Sequence, residues 1–365
     1  LPGTRVLIPL GHSREEGILI GYEELVEPPD FTLRNIVQVL DSEPWFTPEM
    51  MDTARRLNEY YLFSYGDALR LFTVNKTLKS YEAPKEEWLV VMPDFSIDQF
   101  SERKKKQREL AKYLLEVGGA SKALLLAKGF SRMVIKQVSE AKGITVESRY
   151  KATKTTFAEL LTEEVNIPLT EAQQAVYEPI QEAMNSHEHK TFLLHGVTGS
   201  GKTQLYLRAT AKCISQDKTA IILVPEIILT DQIVRRFVET FGDEVVVFHS
   251  KLTVQQRNNN WERLRRKDSH IIIGARSAVF APAEDIGLIV VDEEHDTSYK
   301  QEDMIRYHAR NVALWRGEAH GCPVILGSAT PAITSYYKAM HGEYYLLELR
   351  HRIFEQPMPK VTIVD

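Results

Sequence analysis

Cysteine is almost missing from this 365-residue chain. Cys213 and Cys322 stand far apart, without Cys-x-x-Cys spacing, which argues against a disulfide framework or a cysteine zinc site within it. A reducing, cytoplasmic setting fits that scarcity. No uninterrupted apolar run is long enough to cross a bilayer, and no signal-peptide pattern opens the chain. The first residue is Leu1 rather than Met, so a fragment or processed chain is expected. A hydrophobic fraction of 43% and a charged fraction of 26% describe a globular protein, with roughly two to four domains at this length. The net charge of −5 hides an uneven distribution. Residues 101–155 hold 14 Lys and Arg against 5 Asp and Glu. A basic module in an otherwise acidic chain points to an anionic partner at one place.

Against those absences stands one stretch rich in glycine. The apolar run Phe192-Leu-Leu suits a buried strand, and Gly196-Val197-Thr198-Gly199-Ser200-Gly201-Lys202-Thr203 follows it. This is G-x-x-x-x-G-K-T, the phosphate-binding loop. Its glycines permit backbone conformations that a side chain forbids, so N–H groups can surround phosphate oxygens at a helix start. Lys202 would place positive charge on the β- and γ-phosphates of a nucleotide, and the Thr203 hydroxyl would hold Mg²⁺.

Upstream, residues 1–74 read as a small β-containing unit. Strands are expected at 5–10, 17–22 and 36–40, and a helix over 48–63 with Thr47 as cap and Pro48 in its first turn. Tyr60, Tyr61, Phe63 and Tyr65 cluster there, either as core aromatics or as stacking surfaces for bases. Residues 75–100, with Pro84 and Pro93, read as a linker with some local strand. Residues 101–157 form the basic module: three short helices, with Ser121 and Ser131 capping the second and third, then a basic hairpin from 144 to 154. That is winged-helix order, in which Arg132, Lys136, Lys142, Arg149, Lys151 and Lys154 could meet phosphates without selecting sequence. A solvated basic face for protein docking is the alternative. Residues 158–365 alternate strand and helix, with strands expected at 191–194, 219–224, 245–248, 271–274, 288–291 and 324–326. Such alternation implies a parallel sheet covered on both faces, with ligands at the carboxyl ends of its strands.

The chemistry-bearing residues fall just after those strands. Ile289-Val-Val runs into Asp292-Glu293-Glu294-His295. Asp292 can hold the Mg²⁺ shell, and Glu293 can orient and deprotonate an attacking water. Ser328-Ala329-Thr330 follows another strand and could bond to the acidic motif. Gln173, in Leu169-Thr170-Glu171-Ala-Gln173, could read adenine through its amide, or serve only to cap a helix. Trp261 and Trp315 sit at helical spacing among apolar residues and read as core.

From Leu169 to Pro331 the chain resembles superfamily 2 helicases of the DEAD/DEAH type. Val224-Pro-Glu, His249-Ser250, Gly274-Ala-Arg276-Ser277, Asp296-Thr-Ser-Tyr299-Lys300-Gln301 and Arg306-Tyr-His-Ala-Arg310 narrow the likeness to the bacterial primosomal replication-restart helicases. The resemblance implies a RecA-like parallel-sheet lobe preceded by a small 3′-DNA-end-binding domain and a winged helix. It implies ATP and Mg²⁺ as cofactors. It implies DNA contacts at Arg276, Ser277 and His249, with Tyr299 and Lys300 in a loop linking DNA contact to ATP hydrolysis. Implied partners are forked DNA, single strands and 3′ ends, with primosome proteins and single-stranded-DNA-binding protein, in the bacterial cytoplasm at the nucleoid and without a membrane. The family's first segment, which helps hold the terminal nucleotide, is expected to precede Leu1. Its second lobe, with arginine fingers and a zinc-binding insertion, is expected to follow Asp365, leaving this piece alone nearly inactive. Two other functions fit the same residues: a duplex translocase that never separates strands, and a loading platform whose ATPase is secondary.

Overall fold

Short runs of branched aliphatic residues, buried on both faces, form the strands that carry the chemistry. The structure, a computed structural model, describes all residues except 25–26, 28–29, 31, 42, 74–84, 151–166, 227–231, 250–251, 304 and 354–365. The chain folds as two compact units: Leu1–Lys79 with Lys154–Asp365, and Ser80–Thr153.

The first unit opens with a hairpin of β1 (Arg5–Leu10) and β2 (Ser13–Ile18). Its second strand starts earlier than the 17–22 expected. Gly11 takes φ 60, so the chain reverses within two residues and pairs from Ser13 onward. A short β3 (Gln38–Val39) joins the other edge of β1. Helix α1 (Pro48–Tyr61) begins where the sequence signals it, with the Thr47 hydroxyl accepting from the Met50 N–H at 3.2 Å. Leu62 ends it in the left-handed region, and Ser64 caps a further helix, α2 (Tyr65–Leu71), which sequence signals left unmarked.

The second unit holds β4 (Lys85–Val91), α3 (Lys105–Val117), β5 (Gly119–Ser121), α4 (Lys122–Ala127), α5 (Arg132–Ser139) and β6 (Ile144–Tyr150). Gln107, Leu110, Ala111 and Leu114 are buried on α3, the spacing of one helix face. Ser121 and Ser131 cap α4 and α5 as expected. The local strand expected within the linker is the central strand, 85–91, of a three-stranded antiparallel sheet, with Leu89 fully buried. The strand at 144–150, the first part of the expected hairpin, pairs with β4. The rest of that hairpin, with Lys151 and Lys154, lies outside the described residues. Three helices on a three-stranded sheet make a winged helix whose middle strand precedes its first helix.

The first unit resumes with α6 (Glu171–Ser186), β7 (Thr191–Gly196), α7 (Lys202–Ser215), β8 (Thr219–Leu223), α8 (Gln232–Phe241), β9 (Val245–Phe248), α9 (Val254–Arg265), β10 (Ile271–Gly274), β11 (Ile286–Asp292) and the short pair β12 (Lys300–Gln301) and β13 (Tyr307–His308). α10 (Ala309–His320), β14 (Val324–Ser328), α11 (Ile333–Met340) and β15 (Tyr345–Leu349) complete it. Seven strands pair in parallel in the order β15-β7-β14-β11-β8-β10-β9. The six expected strands are present; β15, at the edge, adds a seventh that was not expected, although Tyr345-Leu-Leu-Glu-Leu349 is mostly apolar. β7, β14 and β11 lie side by side, so the three motifs that follow them emerge together.

The N-terminal helices share the lobe's core. Met50, Leu57 and Phe72 pack in one cluster with Val279, Phe280 and Val312, and the Phe72 and Phe280 rings meet edge to face at 5.0 Å. Trp45 lies between the guanidinium groups of Arg5 and Arg265, 4.6 and 4.5 Å from its ring. Arg316 is fully buried, bonds Glu49 at 3.0 and 2.9 Å, and donates to the carbonyls of Val279, Ala281 and Ala283.

Burial alone would raise the Glu49 carboxyl; the Arg316 charge, together with bonds from His320 and Arg316, outweighs it and pulls the pKa down to about 2. A pKa lowered in the folded state adds stability that is complete above the unfolded value near 4.5 and fades as pH falls towards about 2. Glu49→Gln should therefore cost about 3 kcal/mol at pH 7, and less at pH 3.5. Urea unfolding of both proteins at the two pH values measures this; an equal gap at both would contradict the ion pair.

Candidate nucleotide and nucleic-acid site

β7 ends at Gly196 and α7 starts at Lys202, so the loop between them turns at the carboxyl edge of the sheet. Gly199 and Gly201 have φ 81 and 88, the left-handed region open to glycine. A Cβ on Gly201 would lie 2.2 Å from Gln173 Nε2, and one on Gly196 2.7 Å from Ser200 Oγ, so the curl is too tight for side chains there. Lys202 is buried and donates to the Gly196 carbonyl at 2.7 Å. The Ser200 hydroxyl is buried without a hydrogen-bond partner among the described residues. Val197 and Thr198 are exposed at the tip, and Thr203 is half-buried in the first turn of α7. A curled glycine loop, an ammonium at its base and an unpartnered buried hydroxyl fit a polyphosphate.

Gln173 performs its capping role. Its amide oxygen accepts from the Thr170 N–H at 3.0 Å, and its amide nitrogen donates to the Ser200 carbonyl at 3.1 Å. It thereby ties α6 to the phosphate loop.

β11 delivers Asp292, which is only 9% exposed. Tyr206, one turn along α7 from Lys202, donates its hydroxyl to Asp292 Oδ1 at 3.0 Å. Burial and the neighbouring Glu293 push the Asp292 carboxyl up to about 6, against the Tyr206 bond and the Lys202 charge. The Lys202 charge thus acts on Asp292, and Tyr206, on the same helix, sets the acidic motif against α7. Glu293 has φ 44, a strained conformation for a residue with a Cβ. Glu294 is buried, and accepts from Arg310 at 2.5 Å, Ser335 at 2.8 Å and the Ala332 N–H at 2.7 Å. His295 Nδ1 lies 2.8 Å from Ser328 Oγ, and that oxygen also accepts from the Thr330 N–H. The Ser-Ala-Thr turn and the acidic motif are therefore bonded to each other.

The residues expected at DNA separate into two groups. Ser277 and Lys300 are exposed, and His249 is half-buried. Arg276 extends across to the carbonyls of Ser298 and Lys300 at 3.3 and 3.1 Å. Tyr299, expected in the loop linking DNA contact to ATP hydrolysis, offers no surface to DNA: it is fully buried, and its hydroxyl donates to the Asp292 carbonyl at 2.6 Å. A phenol can leave water when it caps a main-chain acceptor. In the other unit, Arg132 and Lys136 are both exposed on α5. Lys151 and Ser250 lie outside the described residues. Trp261 is core, whereas Trp315 is half-buried against Tyr60 and Tyr61.

Sequence reasoning missed Tyr206 and Gly327. Tyr206 stands four residues after Lys202, the helical spacing that shares a face, so it was open to discovery. Gly327 gave no signal. A Cβ there would lie 1.7 Å from the Tyr206 hydroxyl, so its bareness lets that hydroxyl reach Asp292.

The DEAD/DEAH box helicase family model matches residues 170–338, and the model of a 3′DNA-binding domain matches residues 1–73. Replication restart protein PriA of Bacillus subtilis is 35% identical over this whole chain and 54% of its own length. Its counterpart from Haemophilus influenzae is 35% identical over the whole chain and 50% of its own length. The chain spans about half the length of the curated relatives it matches. Among solved structures, a DNA-bound DUF1998 helicase MrfA is 19% identical over 55% of this chain and 31% of its own, with a TM-score of 0.37. No helix among the described residues is long and apolar enough to cross a membrane.

Gly327→Ala should expel the Tyr206 hydroxyl and cost about 1–3 kcal/mol by overpacking. Tyr206→Phe keeps the volume but strips a buried carboxyl of its donor, at about 1–2 kcal/mol. Urea unfolding reads both, and a neutral Gly327→Ala would show that the close approach does not matter.

Proposed function

The chain belongs to the PriA family of replication restart proteins, and from that premise we propose that it carries the ATP-binding lobe and DNA-binding modules of a 3′–5′ DNA helicase acting at stalled or branched forks. The hydrogen bond from Tyr206 to Asp292, which sets the acidic motif against the helix that opens with Lys202, supports this reading most directly. Magnesium-bound ATP supplies a phosphoanhydride whose cleavage drives the motor. The N–H groups of 196–203 would cradle its phosphates, with Lys202 exchanging its carbonyl partner for them. Thr203 and Asp292 would hold the metal. Glu293, beside Asp292 and partly exposed, would orient and deprotonate the water.

DNA binding couples to this centre through the protein. Arg276, Ser277, Lys300 and His249 would meet the phosphates of a single strand. Because Arg276 also grips the carbonyls on both sides of Tyr299, a strand that pulls on Arg276 shifts Tyr299, and through it the Asp292 backbone. On the winged helix, Arg132, Lys136 and Lys151 would bind fork phosphates by shape. Forked DNA, 3′ ends, primosome proteins and single-stranded-DNA-binding protein are the partners this function calls for.

In the full-length protein, Lys202→Ala and Glu293→Gln should each cut DNA-stimulated ATP hydrolysis by about a hundredfold or more while fork binding persists. Unchanged hydrolysis would refute the assignment. Strand separation on forked substrates distinguishes a helicase from a duplex translocase. If Glu293→Gln leaves fork restart intact, the loading platform gains. The double change Arg132→Ala with Lys136→Ala should lower the salt slope of fork binding by about two, one for each phosphate that is no longer neutralised. An unchanged slope would assign α5 to protein docking.

A further inference from the structure

Past its last strand the chain stays on the phosphate loop. β15 pairs with β7 up to Leu349 opposite Gly196. The pairing then outlasts both strands: the Val197 N–H donates to the Leu349 carbonyl, and the Ile353 N–H to the Gly199 carbonyl, each at 3.1 Å. A Cβ on Gly201 would meet Ile353 Cδ1 at 2.7 Å and Gln173 Nε2 at 2.2 Å, so isoleucine and amide flank the same glycine. The Arg352 stem runs beside Gly199, with Cγ and Cδ at 3.9 and 4.0 Å from where a Cβ would be. Ile353 is 45% exposed although it sits against the loop. This segment lies beyond residue 338, where the helicase-domain match ends.

The Val197 and Ser200 N–H groups already donate to the Leu349 and Val197 carbonyls, so an anion would meet the N–H groups of the other loop residues. An exposed branched aliphatic beside a primary amide matches a purine, which offers an apolar face and a polar edge. A guanidinium on the neighbouring residue matches phosphate oxygens. We propose that residues 350–353 form the outer wall of the nucleotide site, with Ile353 supporting the purine ring beside Gln173 and Arg352 engaging the phosphates of a nucleoside triphosphate. The inference rests on the nucleotide reading above and adds a recognition element from outside the helicase motifs. It also makes the chain downstream of the lobe sense whether the loop is filled.

The test uses the intact protein, with ATPγS and Mg²⁺ as the probe in calorimetry. Arg352→Ala and Ile353→Ser should each weaken binding about tenfold, equal to about 1.4 kcal/mol, with Arg352→Lys recovering much of the loss. Bound nucleotide should also slow trypsin cleavage after Arg350 in the parent but not in Lys202→Ala. If Arg352→Ala and Ile353→Ser bind within about twofold of the parent while Lys202→Ala loses binding, the wall is overturned and the nucleotide reading stands. If the parent binds no nucleotide, the reading itself fails and takes the wall with it.

Discussion

A carboxylate buried at the end of a strand is the constraint around which this lobe is built. Asp292 leaves water almost completely, and a charge in such surroundings needs partners. Tyr206 gives it a donor, Lys202 an opposing charge, and Tyr299 secures its main-chain carbonyl. These do not fully offset burial and the adjacent Glu293, so the carboxyl is held near 6 instead of in the usual acid range. Neighbouring features follow from holding that carboxyl in place. Gly327 must be bare so that Tyr206 can reach, and Glu293 tolerates a left-handed backbone as the chain turns away.

α10 joins that centre to the N-terminal segment. Near its start, Arg310 bonds Glu294 and Ser335, tying the acidic motif to the helix after the Ser-Ala-Thr turn. Two turns on, Arg316 bonds Glu49 of α1. One rigid helix therefore carries both anchors, and the matched 3′DNA-binding region shares a core with the lobe. A strain applied at either end of α10 is felt at the other, because a packed interior transmits displacement instead of absorbing it.

The parallel sheet was legible because a strand buried on both faces reads as an unbroken aliphatic run, and such runs mark β7, β8, β10 and β11 unambiguously. Helix starts were legible at the Ser and Thr caps Thr47, Ser121, Ser131 and Thr170, though not at Ser64 and Thr253. β4 was legible only as some local strand in a linker, because two prolines and many charges surround it and its partners come from distant sequence. The burial of Tyr299 was illegible for another reason. Flanked by Ser298 and Lys300, a tyrosine looks the same whether it faces solvent or caps a carbonyl seven residues back. The merger of the first 79 residues with the lobe depends on pairs such as Glu49 and Arg316, separated by 267 positions, which local pattern does not reveal.

Lys202 shows how the loop can be ready for a phosphate without one. A buried ammonium must find an acceptor, and the Gly196 carbonyl, at the base of the same loop, is the nearest. That bond uses a neutral acceptor, weaker than an ionised one. An arriving polyphosphate therefore gains the lysine at small cost, since the loop is already curled by Gly199 and Gly201 and pinned by Gln173 on one side and Ile353 on the other. The energy of ordering the loop was spent in folding, which leaves more of a phosphate's binding energy for other changes in the lobe.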